Sequence, residues 1–545
     1  MPLIAIPAEQ APSDFWDEGG QESYNNRLFV ASIKRWPITS LHPFGTLVEE
    51  IGVIGNVEAE TQALLKDSLA SVTEDFGENV LKCVPPLPWT IPEREFEVRR
   101  DFRDARVFTI DPETAKDLDD AVSIRELDGG LLEVGVHIAD VSYFVKTGNA
   151  LDRDAKKRGT SVYLVQRAVP MLPPALSEEL CSLVPGVERL SFSAVFTMTK
   201  EGHIIGTWHG RTIIRSCAKL AYADAQEAIL GRSVPEAKIL ARQEGDEEVK
   251  TGAAAPATIS ADAVTADIRQ LHELAQKMRK RRFENGALRI DNIKLAFKLD
   301  EHGLPTDASP YKTYDAHQLI EEFMLAANMS VATKIASGLP EIALLRRHER
   351  PIDRRLQGFK DRAKRLGYDI DITSGGTLFS SLSAIKDAKD REALENLATK
   401  SMLRAKYFCT GMVDIAKYEH FALNVPLYTH FTSPIRRYAD LLVHRQLDAI
   451  LQAQTDKFSL DRETVAKIAQ QCNVKRDAAK LAQEQSAHLF LCLLIHDLTM
   501  RYGPVIRYVS FLKAILSRAA CSQTLTHSVL HSQLFYRHWR ARCRL

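Results

Sequence analysis

The spacing of apolar positions changes character about halfway along this chain. Between residues 96 and 230, short apolar blocks are separated by turn residues, which predicts strands. Arg106-Val-Phe-Thr-Ile110, Ala121-Val-Ser-Ile124 and Leu131 to Ile138 are three such blocks, the last two divided by a turn at Asp128-Gly129-Gly130. Thr160-Ser-Val-Tyr163 follows as a strand, and Pro170-Met-Leu-Pro173-Pro174 as a Pro-bounded turn. From Ala263 onward the period becomes helical. Ile268, Leu271, Leu274 and Met278 share one face, and Lys277, Arg279, Lys280, Arg281 and Arg282 give that helix a basic end. Further helices are expected near 314–336, 351–366, 389–417, 436–453 and 461–500.

The pattern divides the chain. Residues 1–84 read as part of a small OB-type β-barrel: Pro2-Leu-Ile-Ala-Ile-Pro7 as the middle of a strand, Leu28 to Trp36 as a second, Gly45 to Gly52 as a turn and a third, then a helix from Ala59 to Leu69. The early strands of such a barrel are expected to be missing, which would leave an unpaired edge. Pro85-Pro86-Leu87-Pro88 makes 85–99 a stiff linker. Residues 100–502 form the main domain, of mixed α/β (α+β) class. Within it, 243–262 hold few large apolar groups and are expected to be a disordered insertion. Residues 503–545 are an atypical tail, with no strand alternation after Tyr508.

Composition adds limits. At 545 residues the chain is long enough for roughly two to four domains. Hydrophobic residues make up 45% and charged ones 26%, ordinary for a globular protein. Lys plus Arg number 71, as do Asp plus Glu, so the formal net charge is zero. Any nucleic-acid surface must come from uneven placement of charge. Eight cysteines, none in a CxxC pair, read as reduced thiols of a cytosolic or nuclear protein. No signal peptide and no apolar run of about 18 residues is present, so no membrane span is expected.

Two segments carry chemistry. Asp111-Pro112-Glu113-Thr114-Ala115-Lys116-Asp117-Leu118-Asp119-Asp120 sets four aspartates within ten residues. Like charges a few Å apart raise one another's pKa, so the run is costly to fold. Divalent cations relieve that cost, and hard oxygen ligands suit Mg²⁺ or Mn²⁺. Two such ions about 3.5–4 Å apart form the clamp of phosphodiester hydrolysis. The competing reading is a solvated acidic loop, against which stand the apolar strands on both sides. In the second segment, Thr432-Ser433-Pro434-Ile435-Arg436-Arg437-Tyr438, Ser433 is a candidate N-cap and Pro434 the first helical residue. Arg436 and Arg437 then fall in the first turn, where an arginine fork can grip a phosphate. The competing reading is an ordinary capped helix with surface arginines.

Together, Asp111, Asp117, Asp119, Asp120 and Thr432 to Tyr438 resemble the RNase II, or RNB, family of exoribonucleases. His137-Ile-Ala-Asp140, Thr160 to Leu164, Pro170 to Pro173, Leu180-Cys-Ser-Leu183 and Glu321-Glu322 with Ala326-Ala327-Asn328 add to that likeness, which runs from about Arg100 to Tyr502. Arg35 to Pro43 and Pro85 to Trp89 are similar to its eukaryotic Dis-three-like exonuclease two branch. The resemblance implies Mg²⁺-dependent, processive 3′→5′ hydrolysis of single-stranded RNA to nucleoside 5′-monophosphates. It puts metal on Asp111, Asp117, Asp119 and Asp120, with Asp119 and Arg436 indispensable to the chemical step. It puts RNA against Tyr163, Tyr222, Glu321, Ser433, Arg437 and Glu484: Tyr163 stacking near the 3′ end, Tyr222 governing the last fragment, Glu321 at the terminal nucleotide. His137 is either a functional group or a hydrogen-bonded strand residue. The branch implies a cytoplasmic protein, P-bodies included, that favours 3′-uridylated RNA and works as a monomer apart from the exosome.

The family carries two cold-shock barrels before its catalytic domain and an S1 barrel after it. Here only the later part of one is expected, as in a truncated or mis-spliced product. Two other readings compete: a catalytically silent RNA-binding member acting as a translational repressor, and a prenyl-diphosphate site at Asp117 to Asp120. Silence would be signalled by lost aspartates, and all four are present. The prenyl-diphosphate motif belongs on a helix, whereas strands flank this one.

Overall fold

The computed structural model describes residues 3–69, 73–240, 259–290, 294–453 and 458–502. At the N-terminus β1 (Arg27–Arg35) and β2 (Phe44–Val53) pair antiparallel, followed by a helix over Val57–Leu69. The block read as a strand at Pro2 to Pro7 makes only a single bridge, Ala5 with Phe44. Leu65 and Leu69 of the helix are buried in one cluster with Val162, Leu164 and Ala482. The segment read as a spacer is docked rather than free. Trp89 packs edge-on to Phe144, with ring centroids 5.0 Å apart, and a short helix spans Glu93–Val98.

The main domain is built on a closed barrel of β3 (Arg100–Asp111), β4 (Asp120–Glu126), β5 (Leu132–Ala139), β8 (Glu188–Met198) and β9 (Ile204–Ala221). The strands between them, β6 (Val162–Tyr163) and β7 (Ala168–Val169), form a separate two-residue ladder. Neighbours in the barrel are antiparallel except at the closure, where β3 and β9 run parallel from Arg100–Thr212 to Asp111–Ala221. Every residue of β5 but Glu133 is buried. Near-continuous apolar runs of that kind are what strands covered on both faces require. Val107, Phe108, Val136, Phe192, Phe196 and Ile213 are wholly inaccessible in this core. Within the barrel His137 is also inaccessible, its Nε2 2.9 Å from Ser123 Oγ and its Nδ1 2.8 Å from Ser193 Oγ. It is thus a satisfied strand residue, and burial lowers its pKa to about 3.

Helices pack around the barrel, among them Ala261–Glu284, Asp315–Gly338 and Tyr438–Leu451. The first begins where Ser260 Oγ accepts the Ala263 N–H at 3.2 Å, and it buries Ile268, Leu271 and Leu274 as their spacing predicts. Two expectations fail. The helix expected over 389–417 stops at Ser401, and Lys406–Cys409 becomes a strand paired with Leu344–Arg347. That pairing buries Leu344, Leu345 and Phe408, and tertiary burial overrides local propensity. The helix expected from Arg436 begins at Tyr438 instead, with Arg437 extended. Most of the expected insertion at 243–262 lies outside the described residues, although Ala261 already belongs to a helix. The tail at 503–545 lies outside them altogether. Among the described residues no helix is long and apolar enough to cross a membrane, and Cys83, Cys181, Cys217, Cys409, Cys472 and Cys492 are free thiols.

Candidate active site

The acidic run is a strand-loop-strand turn on the rim of the barrel. Asp111 is the last residue of β3 and Asp120 the first of β4. The loop between them is pinned by its backbone. Ser182 Oγ donates to the Lys116 carbonyl at 2.6 Å and accepts the Leu118 N–H at 3.0 Å. The Leu183 N–H reaches the Leu118 carbonyl at 3.1 Å, and the Ala139 N–H reaches that of Asp119 at 2.8 Å.

The arginine segment comes to this rim from the other end of the chain. Asn328 holds it: its Oδ1 accepts the Phe431 N–H at 2.7 Å, and its Nδ2 lies 3.4 Å from Thr432 Oγ1. His444 adds a bond from Nε2 to the Phe431 carbonyl at 2.8 Å. Ser433 is buried and is not an N-cap. Its N–H donates to Asp440 Oδ1 at 2.8 Å, and its Oγ accepts from Arg436 Nη2 at 2.8 Å. The helix start is displaced because the backbone of 436–438 is already claimed. Ser161 N–H and Thr160 Oγ1 donate to the Arg436 carbonyl at 3.0 and 2.9 Å, and Tyr438 N–H donates to the Gly159 carbonyl at 3.0 Å. These bonds tie the arginine segment to the strand that carries Tyr163.

Four side chains therefore meet. Asp119, 3% exposed, accepts the Ile435 N–H on Oδ1 at 2.8 Å, and its Oδ2 lies 3.4 Å from Arg436 Nε. Tyr163, 39% exposed, donates its hydroxyl to Asp117 Oδ2 at 3.0 Å. Burial raises the Asp119 pKa well above the ordinary carboxylate range, against the pull of Arg436. Burial also raises Asp111 and Asp120, each further lifted by a neighbouring carboxylate. Tyr222 follows β9 directly beside Asp111. Burial, then Asp120 and Asp111, raise its pKa.

The other candidates lie at varying remove. Arg437 points its fork at Asp440, with Nε–Oδ2 and Nη2–Oδ1 both 2.7 Å, so Arg436 is the more exposed of the pair. Glu321 is exposed, 3.7 Å from Arg279 and from Arg289. Glu484 pairs with Lys480 at 3.7 Å on its own helix, and none of its described contacts reaches the aspartates. Sequence reasoning missed the Ile435 N–H, which no side-chain motif can signal. It also missed His317, whose position four residues before Glu321 puts both on one helix face.

The aspartates do not close into a ready ligand cage. Among the described residues no group of three or more His, Cys, Asp or Glu side chains is set to hold a metal ion. The carboxylates face protein groups instead: Asp117 accepts the Tyr163 hydroxyl, and Asp119 accepts the Ile435 N–H and pairs ionically with Arg436. The donor set nevertheless fits a hard cation. Asp111 Oδ2 and Asp119 Oδ2 are shielded from solvent with no hydrogen-bond donor, an unfavourable state for carboxylate oxygens unless a cation takes them.

Comparison with known proteins agrees with this geometry. Residues 99–453 match the RNB domain, and residues 1–68 match the Dis3-like cold-shock domain 2 (CSD2). DIS3-like exonuclease 2 of Xenopus tropicalis is 44% identical over 505 residues, covering 91% of this chain and 59% of that protein. The chain thus spans little more than half the length of that relative. The solved structure of yeast Ssd1, described as a pseudonuclease, superposes with a TM-score of 0.74 at 33% identity, over 91% of this chain and 58% of that one. Mycoplasma genitalium RNase R in complex with ribose methylated single-stranded RNA gives 0.75 at 22% identity, over 91% and 72%, a likeness of fold. With residues 99–453 matched to the RNB domain and its acidic rim facing an arginine, the chain belongs to the RNB family.

Proposed function

We propose that this chain is a 3′→5′ exoribonuclease that hydrolyses single-stranded RNA processively to nucleoside 5′-monophosphates. The observation that carries the reading is Asp119, buried, with Oδ1 on the Ile435 N–H and with Oδ2 making no hydrogen bond and facing Arg436 across a 3.4 Å ion pair. Asp111, Asp117, Asp119 and Asp120 would hold Mg²⁺, with Mn²⁺ able to substitute. When bound, such ions supply Lewis-acid stabilisation at the phosphate and an activated water. Arg436, 42% exposed at its side chain and steadied by Ser433, presents a guanidinium to charge developing on the scissile phosphate. Tyr163 offers an exposed ring beside Asp117, a platform on which a terminal base can stack. Tyr222 and Glu321 would meet the 3′ nucleotides. The proposal extends to a cytoplasmic monomer acting on 3′-uridylated RNA apart from the exosome.

The likeness to the yeast pseudonuclease favours a second reading, an RNB fold that binds RNA without cutting it. One experiment separates the two. Purified protein is incubated with end-labelled single-stranded RNA, with and without Mg²⁺, and the products are identified. Mononucleotides released only with metal support the enzyme. Intact RNA that stays bound supports the silent reading.

A further inference from the structure

Tyr222 is not a free ring at the end of β9. His317 lies face to face with it, centroids 3.7 Å apart and planes 11° from parallel. The imidazole is itself fixed at both nitrogens. Nδ1 accepts the backbone N–H of Tyr314 at 3.0 Å. In the neutral ring the proton therefore sits on Nε2, 3.1 Å from the Tyr311 hydroxyl oxygen that accepts it. Burial lowers the His317 pKa, which favours this neutral form. The Tyr314 ring is nearly parallel to it as well, at 5.7 Å and 12°. His317 stands in the first turn of the helix Asp315–Gly338, so the stack rests on a rigid element rather than on a loop. Asp111 and Asp120 are close enough to Tyr222 to raise its pKa, which puts the stack beside the carboxylate rim.

We propose that His317 is a positioning residue that holds Tyr222 as a fixed wall at the inner end of the RNA site, and so sets the shortest RNA still cleaved; this rests on the exoribonuclease reading. A wall at a set distance from the reacting bond keeps a short RNA in register, because few other nucleotides hold it. On a long RNA, contacts along the strand make the same anchor dispensable.

The test uses the full chain as wild type, His317→Gln, His317→Phe and Tyr222→Ala, each with its melting temperature measured. Gln can still accept the Tyr314 N–H from the same helical position, so it removes the ring but keeps the cap. Phe keeps a ring and loses both hydrogen bonds. A 5′-labelled RNA of about 20 nucleotides is digested to its limit with Mg²⁺. Binding of an RNA of about four nucleotides is measured alongside without metal. In His317→Gln the limit fragment lengthens, as in Tyr222→Ala. Affinity for the short RNA falls about 10-fold, within the range of one lost base stack. The initial rate on long RNA changes less than about 3-fold, and His317→Phe lies nearer wild type. A limit fragment and short-RNA affinity unchanged in His317→Gln overturn the inference. Wild type that binds both RNAs and cleaves neither overturns the exoribonuclease reading instead, and the short-RNA affinities then decide on His317 alone.

Discussion

Asp119 and Arg436 are held by different means, and that separates what their substitution should do. Asp119 Oδ1 accepts the Ile435 N–H, and an amide oxygen can accept it equally well. Asp119→Asn is therefore expected to fold and to bind RNA nearly as wild type, while hydrolysis falls by about 10³-fold or more as a charged ligand is lost. Single-turnover cleavage and equilibrium binding on one RNA check this, and turnover near wild type would remove the proposed site. Arg436 hydrogen-bonds Ser433 through Nη2 and faces Asp119 through Nε. Lysine keeps the charge but has a single nitrogen in place of that fork. Arg436→Lys should slow the chemical step by on the order of 10²-fold. Were affinity alone to change, with the single-turnover rate intact, Arg436 would be a binding residue.

Among elements, the barrel invites a test of its interior. His137 is wholly buried between Ser123 and Ser193, and its pKa is lowered from 6.5 to about 3. Above pH 6.5 both folded and unfolded chains hold it neutral, and it adds no pH dependence. As pH falls below 6.5 the unfolded chain takes the proton and the native one does not, so stability is lost down to about pH 3. The expected slope is about 1.4 kcal/mol per pH unit. Comparison of wild type with His137→Gln cancels every other titrating group. The stability gap at pH 7.5 should narrow by about 2 kcal/mol at pH 5, read from urea midpoints. A constant gap would mean that the imidazole is protonated or reached by water. Three of the five barrel strands were legible in the sequence, whereas β8 and β9 were not read there. Three strand blocks matched β3, β4 and β5 because strands buried on both faces leave short apolar runs. Barrel closure was not legible, since the parallel pairing of β3 with β9 joins residues about a hundred positions apart. The start at Tyr438 was missed for a related reason. Ser433-Pro434 is a sound local cap, but Gly159, Thr160 and Ser161 bond the backbone just after it. Among site residues, Asp111 to Asp120 and Arg436 could be found because charge clusters are visible in one dimension. The stack of Tyr222 on His317 could not, because a ring contact across 95 positions leaves no period.

At the scale of the whole molecule, stability is spread unequally, and metal should expose that. One large core cluster runs from Val80 through Cys472 and contains the barrel that carries the aspartates. The N-terminal sheet rests on a far smaller cluster of Leu28, Ile54 and Ala59. A chain of this kind need not melt as one two-state unit. A cation that binds the folded rim and not the unfolded chain stabilises only the unit that contains the rim. At a hundredfold excess over its dissociation constant, the gain is about 2.7 kcal/mol. Asp111 Oδ2 and Asp119 Oδ2 make no hydrogen bond, so bound Mg²⁺ displaces none there and competes only with the 3.4 Å ion pair between Arg436 and Asp119. Added Mg²⁺ is therefore expected to raise the main melting transition by a few degrees and to leave any lower transition from the N-terminal sheet in place. Calorimetry with MgCl₂ against NaCl of equal ionic strength measures it, since screening alone acts in both salts. The double variant Asp111→Asn with Asp119→Asn should lose the shift and keep the transition itself, because asparagine retains the size and the acceptor oxygen of each side chain. An equal rise in the double variant would place the cation elsewhere on the protein. No rise in wild type would mean that this rim, for all its carboxylates, needs RNA phosphate before it takes metal.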